Sequence, residues 1–171
     1  MINRRRLMIL LAGSTALAGC STIAALTTSQ LDADLGTLSS GLSAVENFLT
    51  GIGVNLIPAS VVQEAQNVIA QIQANSAGII GTIAPNQQLL TAISNGVGTL
   101  AAILTPFFPA VGAIAVAVQA ALSLVGLILQ EAGVTVPTTP GTKARMAAAA
   151  ATMSGADARA YLNGIAANGI H

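Results

Sequence analysis

Apolar side chains repeat at intervals of four and three residues along much of the chain, the spacing that places them on one face of an α-helix. The first such run comprises Leu31, Leu35, Leu38, Leu42, Val45 and Leu49. It predicts a helix that begins with a capping box between Ser29 and Asp32 and ends near Gly51. Gly36 and Gly41 lie inside this helix, and each lowers its intrinsic stability by up to about 1 kcal/mol relative to Ala. We therefore expect the helix to depend on packing against its neighbours.

Two further amphipathic segments follow the first one. Pro58 and Ser60 open a second predicted helix, whose apolar face comprises Val61, Ala65, Val68, Ile72, Ile79 and Ile83. Asn75 occupies one position on that face, where it either fixes the register between helices or marks a bent stretch. A third helix is predicted over Asn86–Leu104, with an apolar face of Leu90, Ile93, Val97, Leu100 and Leu104.

The next segment, Ala110–Glu131, predicts a fourth helix of a different character. Val111 to Gln130 contains no charged residue, so that its length and polarity satisfy the test for a transmembrane helix. Small and uncharged polar residues nevertheless recur along one side of it at intervals of four and three. We call four of them the helix-packing stripe: Gly112, Gln119, Ser123 and Gly126.

These patterns predict an all-α fold, a helical bundle of about four main helices over residues 30–133. Two prolines in the segment Thr105–Pro109 interrupt the chain between the third and fourth helices. Those two helices are then expected to form a hydrophobic αα-hairpin with a Phe-containing turn.

Beyond the bundle the composition changes twice. Residues 134–142 contain two prolines and predict a linker. Residues 143–171 predict a short, Ala-rich helical tail, in which Ser154 and Asp157 cap a last helix that ends near Leu162.

The N-terminal residues have the order of an export signal. Arg4 to Arg6 precede a short apolar stretch, which is followed by the tetrad Leu17-Ala18-Gly19-Cys20. This tetrad resembles the lipobox of bacterial lipoproteins. The resemblance implies a signal peptide over residues 1–19 that is removed before Cys20, with diacylglycerol on the Cys20 sulfur and an acyl chain such as palmitate on the new amino group. The arginines fit both a general secretory signal and a twin-arginine signal, so the export route stays open.

The same resemblance implies a place in the cell. A lipoprotein is held in the bacterial cell envelope by its lipid, and residues 20–29 predict a short tether between that lipid and the bundle. Ser21, rather than Asp, follows Cys20. By analogy with lipoproteins of diderm bacteria, this favours the outer membrane, facing the periplasm, over the inner membrane.

Composition and charge restrict the function further. Hydrophobic residues make up 53% of the chain and charged residues 7%, which excludes an intrinsically disordered protein. After cleavage, three basic residues remain against six acidic ones, a net charge of −3 that gives no basic footprint for nucleic acid. Residues 65–130 are all uncharged, and the one His, His171, is the last residue. We therefore expect no enzymatic activity, no metal and no cofactor besides the lipid on Cys20.

Two interpretations of the apolar segments remain open. In the first, the fourth helix is the buried centre of a bundle that hangs from its lipid and has a structural, scaffolding or partner-binding role. In the second, the protein inserts into a membrane, as pore-forming or holin-like proteins do, through Ala110–Glu131 alone or as a hairpin with Asn86–Leu104. Under either interpretation, exposed apolar stripes predict a homo-oligomer or an envelope protein as partner.

Overall fold

The computed structural model describes residues 15–51, 55–83, 86–133 and 139–170, with side chains from Ser29 onward. Six α-helices follow one another through these ranges: α1 (Thr15–Gly51), α2 (Ala59–Ala77), α3 (Gln87–Leu104), α4 (Gly112–Glu131), α5 (Pro140–Thr152) and α6 (Gly155–Asn168). None of these ranges contains a β-strand. The predicted all-α fold is confirmed.

Helix α4 is the centre of the bundle. It packs against α1, α3, α5 and α6, and ten of its 20 residues are buried. A helix that is apolar on nearly all sides has to be covered on several of them, and four neighbours provide that cover. Its side chains join those of the other helices in one hydrophobic core.

Helix α1 presents the apolar face that the sequence predicts. The six residues of that face, from Leu31 to Leu49, are each at most 4% exposed. The predicted capping box at Ser29 is wrong, because α1 begins at Thr15 and the chain is already helical there. Residues 20–29, for which the sequence predicts a tether, also belong to α1. Residues 21–30 contain neither Gly nor Pro, so nothing in them interrupts a helix.

Helix α2 buries Ala65 and Ile72 as predicted, but Val62 and Ile69 take the buried positions predicted for Val61 and Val68. The buried positions are Val62, Ala65, Ile69, Ile72 and Ser76. Adjacent apolar pairs at 61–62 and 68–69 make both faces compatible with the pattern, and packing against α1 and α3 selects the second. The polar residue on the buried face is therefore Ser76 rather than Asn75. Its hydroxyl donates a hydrogen bond of 2.9 Å to the Ile72 carbonyl, one turn earlier.

Helices α3 and α4 form the predicted hairpin. The side chain of Asn86 caps α3 by accepting hydrogen bonds from the backbone N–H groups of Gln88 and Leu89. A short 3-10 turn, Thr105–Phe107, follows α3 and places Pro106 where its missing N–H is tolerated. Phe107 and Phe108 are half-buried against the core, so the turn belongs to the bundle.

The two C-terminal helices are part of the same core. α6 packs against both α1 and α4, and its residues Ala158, Leu162 and Ile165 are buried. The Ser154 cap is confirmed, since the Ser154 hydroxyl accepts a hydrogen bond of 3.2 Å from the Asp157 N–H. The residues predicted as a linker lie outside the described ranges up to position 138, and α5 begins at Pro140.

Candidate functional site

Three ionisable side chains from three different helices meet at one end of the bundle. Asp34 of α1 is fully buried, and Arg159 of α6 donates hydrogen bonds to both of its carboxylate oxygens. Arg159 Nη2 lies 2.6 Å from Asp34 Oδ2 and 3.5 Å from Oε1 of Glu131, the last residue of α4. We call Asp34, Glu131 and Arg159 the charge cluster. It joins the first, the central and the last helix.

The local sequence explains how the cluster forms. Asp34 lies three residues after Leu31 and four before Leu38, so it occupies the apolar face of α1. Arg159 follows the buried Ala158, and its side chain remains 30% exposed. The Gln30 side chain donates a further hydrogen bond of 3.3 Å to Asp34. Because a buried carboxylate is strongly unfavourable without partners, these bonds make the position of Asp34 tolerable.

The two carboxyl groups of the cluster perturb each other. Burial raises the pKa of Glu131, the negative charge of Asp34 and a hydrogen bond to it raise that pKa further, and the Arg159 charge opposes the change. Oε2 of Glu131 is buried without a hydrogen-bond partner among the described atoms. Hydrogen bonding to Asp34 is the main cause that raises the pKa of Arg159, which stays a cation. The surroundings of Glu131 in the cluster therefore favour its protonated form.

The remaining acidic residues that the sequence singles out have local roles. Asp32 accepts a hydrogen bond of 3.1 Å from the backbone N–H of Gly81, which ties α1 to the turn after α2. Asp157 accepts a hydrogen bond of 2.6 Å from Ser154 in the cap of α6. Within the described ranges, no group of three or more His, Cys, Asp or Glu residues is arranged to hold a metal ion.

The helix-packing stripe of α4 is only partly covered. Gly112 is exposed and has open space around it, whereas Ser123 is buried. A Cβ added at Gly126 would lie 3.7 Å from Cε of Met146, and Gln119 lines a groove beside α5. Gln119 and Gly126 thus lie beside α5, which packs on both helices of the αα-hairpin.

Small residues let α5 approach the hairpin closely. A Cβ on Gly98 of α3 would stand 2.9 Å from Cβ of Thr142, a distance that a real side chain could not keep. One turn further along α5, the sulfur of Met146 accepts a hydrogen bond of 3.6 Å from the Ser94 hydroxyl. Thr142 and Met146 therefore fill the space between α5 and the hairpin over the first half of α5.

The second half of α5 leaves a groove that we call the α5 groove. Its volume is about 300 Å³, and α3, the turn, α4 and α5 all contribute to it. The lining residues are Ala101, Thr105, Phe108, Val118, Gln119, Leu122, Arg145, Ala148, Ala149 and Thr152. Arg145 is the one charged residue among them.

A second groove, of about 360 Å³, lies between the C-terminal ends of α1 and α6. Ser40, Ser43 and Asn47 of α1 line one wall, and Ile165 and Ile170 line the other. No residue of its lining is ionisable. It offers shape and a few polar contacts without a charge that would select a ligand.

Cys20, the predicted lipidation site, lies in the N-terminal part of α1. Its side chain and the signal residues 1–14 are outside the part of the chain that the structure describes. The predicted lipid on Cys20 therefore stays a prediction from the sequence.

Sequence reasoning missed the charge cluster. The available signal was the position of Asp34 on the apolar face between Leu31 and Leu38. Its partner Arg159 lies 125 residues away, and no local pattern indicates such a pairing.

The helices α3 and α4 are long and apolar enough to cross a membrane by length and composition alone, over Gln87–Phe107 and Gly112–Glu131. About half of each window is buried inside the bundle, as in the core helices of many proteins that do not span membranes. No protein-family model, no curated protein and no solved structure matches this chain.

Proposed function

We propose that the protein is a lipid-anchored helical bundle of the bacterial cell envelope, with a non-catalytic structural, scaffolding or partner-binding role. The observation that best supports a lipid anchor is the tetrad Leu17-Ala18-Gly19-Cys20, which follows a short, positively charged export signal. Two or three acyl chains at Cys20 hold such a protein firmly, since each buried CH₂ contributes about 0.8 kcal/mol.

The geometry of the bundle supports a single anchor at the N-terminus. Cys20 precedes Leu31, the first buried residue among the α1 side chains that the structure describes, by 11 positions. At a rise of 1.5 Å per residue, a continuous helix spans about 16 Å over that distance. The anchor would then connect to the core through a helix, which holds the bundle close to the membrane surface.

The bundle also supports a role without catalysis. The ionisable groups that it brings together, Asp34, Glu131 and Arg159, are bonded to one another at the junction of three helices. Their geometry suits the joining of helices, because each helix contributes one member. The partner of such a protein would be another envelope protein or a second copy of the chain.

The alternative function is insertion of the α3–α4 hairpin into a membrane. The observation that favours it is the length and low polarity of both helices. Insertion would require α4 to leave α1 and α6, and Glu131 would then separate from Asp34 and Arg159. The apolar residues of α1 and α6 that pack on α4 in the common core would then face water, which is strongly unfavourable and makes the bundle the better supported proposal.

A fractionation experiment separates the two functions. The full chain is expressed in a diderm bacterial host as wild type, as Cys20→Ser and as Thr22→Ala, a matched control beside the predicted lipid site. Wild type and Thr22→Ala should incorporate an alkyne-labelled fatty acid and sediment with membranes. Cys20→Ser should incorporate none, and alkaline carbonate should release it from membranes.

Two outcomes would contradict the proposal. Equal labelling of wild type and Cys20→Ser would exclude Cys20 as the lipid site. An unlabelled Cys20→Ser protein that resists alkaline extraction would show that the helices themselves hold the membrane, and would favour the inserted hairpin.

A further inference from the structure

The α5 groove is apolar at its floor. Ala101 of α3, Val118 and Leu122 of α4, and Ala149 of α5 line it, and each is at most 4% exposed. These side chains belong to the hydrophobic core, so the groove opens directly onto it. Hydrocarbon placed there would lose contact with water on the side that faces the floor.

The groove exists because α5 changes from larger to smaller side chains. Thr142 and Met146 reach Gly98 and Ser94 of α3 over the first half of the helix. One turn later the corresponding positions, 149 and 150, are occupied by alanines, and the exposed Thr152 also lines the groove. Methyl groups fill less of the space beside the hairpin than Thr142 and Met146 do, and about 300 Å³ stays open.

The rim of the groove carries one positive charge and several uncharged polar groups. Arg145 is half-buried, and it takes part in neither of the two ion pairs among the described residues. The walls from α3 and α4 cannot supply an acid, because residues 65–130 contain no charged side chain. Thr105, Gln119 and Thr152 add hydroxyl and amide groups beside Arg145.

The chemistry of the rim selects an anionic group. A guanidinium offers N–H donors in a planar fork that fits a carboxylate, and such charge-assisted hydrogen bonds are stronger than neutral ones. At the edge of an apolar wall this attraction is less screened than in open water. The ligand that complements both parts has a carboxylate at one end and hydrocarbon at the other.

The volume of the groove, which is open to solvent on one side, indicates how much hydrocarbon it can cover. About 300 Å³ corresponds to roughly ten water molecules at about 30 Å³ each, and hence to a chain of about ten carbon-sized groups. It also lies at the lower end of the range of small-molecule pockets. A lipid with two long chains exceeds this space.

We propose that the α5 groove binds the anion of a medium-chain fatty acid. Its carboxylate pairs with Arg145, and its chain lies on Ala101, Val118 and Leu122 between α3, α4 and α5. The inference is independent of the lipid anchor, so the Cys20→Ser protein should bind the same ligand.

Native mass spectrometry of the full chain, released from a mild non-ionic detergent, tests the proposal. The probes are decanoate, its uncharged methyl ester and decyl phosphate, which represents a lipid phosphate headgroup. We expect one decanoate per chain, at least tenfold weaker retention of methyl decanoate, and no tighter retention of decyl phosphate. Absence of a decanoate adduct, or equal retention of the methyl ester, would overturn the proposal. Tighter retention of decyl phosphate would assign the groove to a phosphate and also overturn it.

Two pairs of variants locate the bound molecule. Arg145→Gln should weaken decanoate binding at least tenfold, whereas Lys143→Gln, which removes an exposed cation on the same helix, should leave it unchanged. Ala148→Leu places a larger side chain in the groove and should abolish binding, whereas Ala147→Leu changes an exposed residue outside its lining and should not. Circular dichroism verifies that each variant is folded. Folded Arg145→Gln and Ala148→Leu proteins that bind as wild type does would place decanoate elsewhere.

Discussion

Arg159 donates hydrogen bonds to both carboxylate oxygens of Asp34, and 125 residues separate the two in sequence. The contact joins the last helix to the first. The two side chains of this ion pair differ in exposure. The Asp34 side chain is fully buried, whereas the Arg159 side chain is 30% exposed. Removing one residue or the other should therefore have different consequences for the residue that stays behind.

The larger effect is expected for Arg159→Met. This variant leaves the Asp34 carboxylate buried without its cation, and the free energy of unfolding should fall by about 3–5 kcal/mol. Asp34→Asn keeps the shape of the side chain and leaves an arginine that can still reach water and Glu131, so its effect should be smaller, about 1–2 kcal/mol. Urea unfolding followed by far-UV circular dichroism measures both. Lys143→Met, at an exposed cation, is the control, and equal effects of the two cluster variants would contradict the asymmetry.

The double variant Asp34→Leu/Arg159→Met should recover much of the loss. It removes the buried charge together with its partner, and well-packed apolar residues often replace a buried ion pair without loss of stability. The measurement is a double-mutant cycle with the single variants Asp34→Leu and Arg159→Met, in which the double variant should be more stable than Arg159→Met by at least about 1 kcal/mol. Additive losses would mean that the two side chains do not act as a pair.

Glu131 should make stability depend on pH. Because burial and Asp34 raise the pKa of Glu131 in the folded protein, the fold binds a proton that the unfolded chain releases near its ordinary value of 4.5. Its contribution to stability is fully present below that value and is lost as the pH rises through the raised pKa. Relative to Glu131→Gln, the wild type should therefore lose stability as the pH rises from 4.5 toward neutrality.

Chemical unfolding of both proteins across this pH range measures the difference. Glu64→Gln, at an exposed carboxylate of α2, is the matched control and should follow the wild type. A stability difference between wild type and Glu131→Gln that stays constant with pH would contradict the role assigned to Glu131.

The sequence was sufficient for the features that depend on local pattern. The apolar faces of α1 and α3, the hairpin and the Ser154 cap all follow from spacing and from residue types within one helix. The buried face of α2 was ambiguous by one position, because Val61 and Val62 are both apolar and only the neighbouring helices decide between them. The charge cluster and the α5 groove depend on contacts between helices that are far apart in sequence, and periodicity carries no information on those.

Gly36 and Gly41 of α1 also show that local sequence does not reveal contacts between helices. The sequence treats both as residues that weaken α1. In the structure Gly36 has open space around it, but a Cβ on Gly41 would stand 2.6 Å from Cδ2 and 3.1 Å from Cβ of Leu162 in α6. Gly41 is thus the residue that lets α6 approach α1, and only Gly36 behaves as the propensity scale predicts.

Substitution of the two glycines by alanine should consequently change the stability of the protein in opposite directions. Gly36→Ala should stabilise the protein by roughly 0.5–1 kcal/mol, because the unfolded chain loses conformational freedom and nothing clashes. Gly41→Ala should destabilise it by about 1–3 kcal/mol, since α6 or the Leu162 side chain has to move. Thermal and urea unfolding measure both effects.

In a Leu162→Ala background the penalty at Gly41 should largely disappear, because the atoms that the new methyl group meets are gone, whereas Gly36→Ala should keep its effect. If Gly41→Ala stabilised the protein as Gly36→Ala does, α6 would not pack on α1 at this point, and the position of Arg159 beside Asp34, two turns along the same interface, would be in doubt as well.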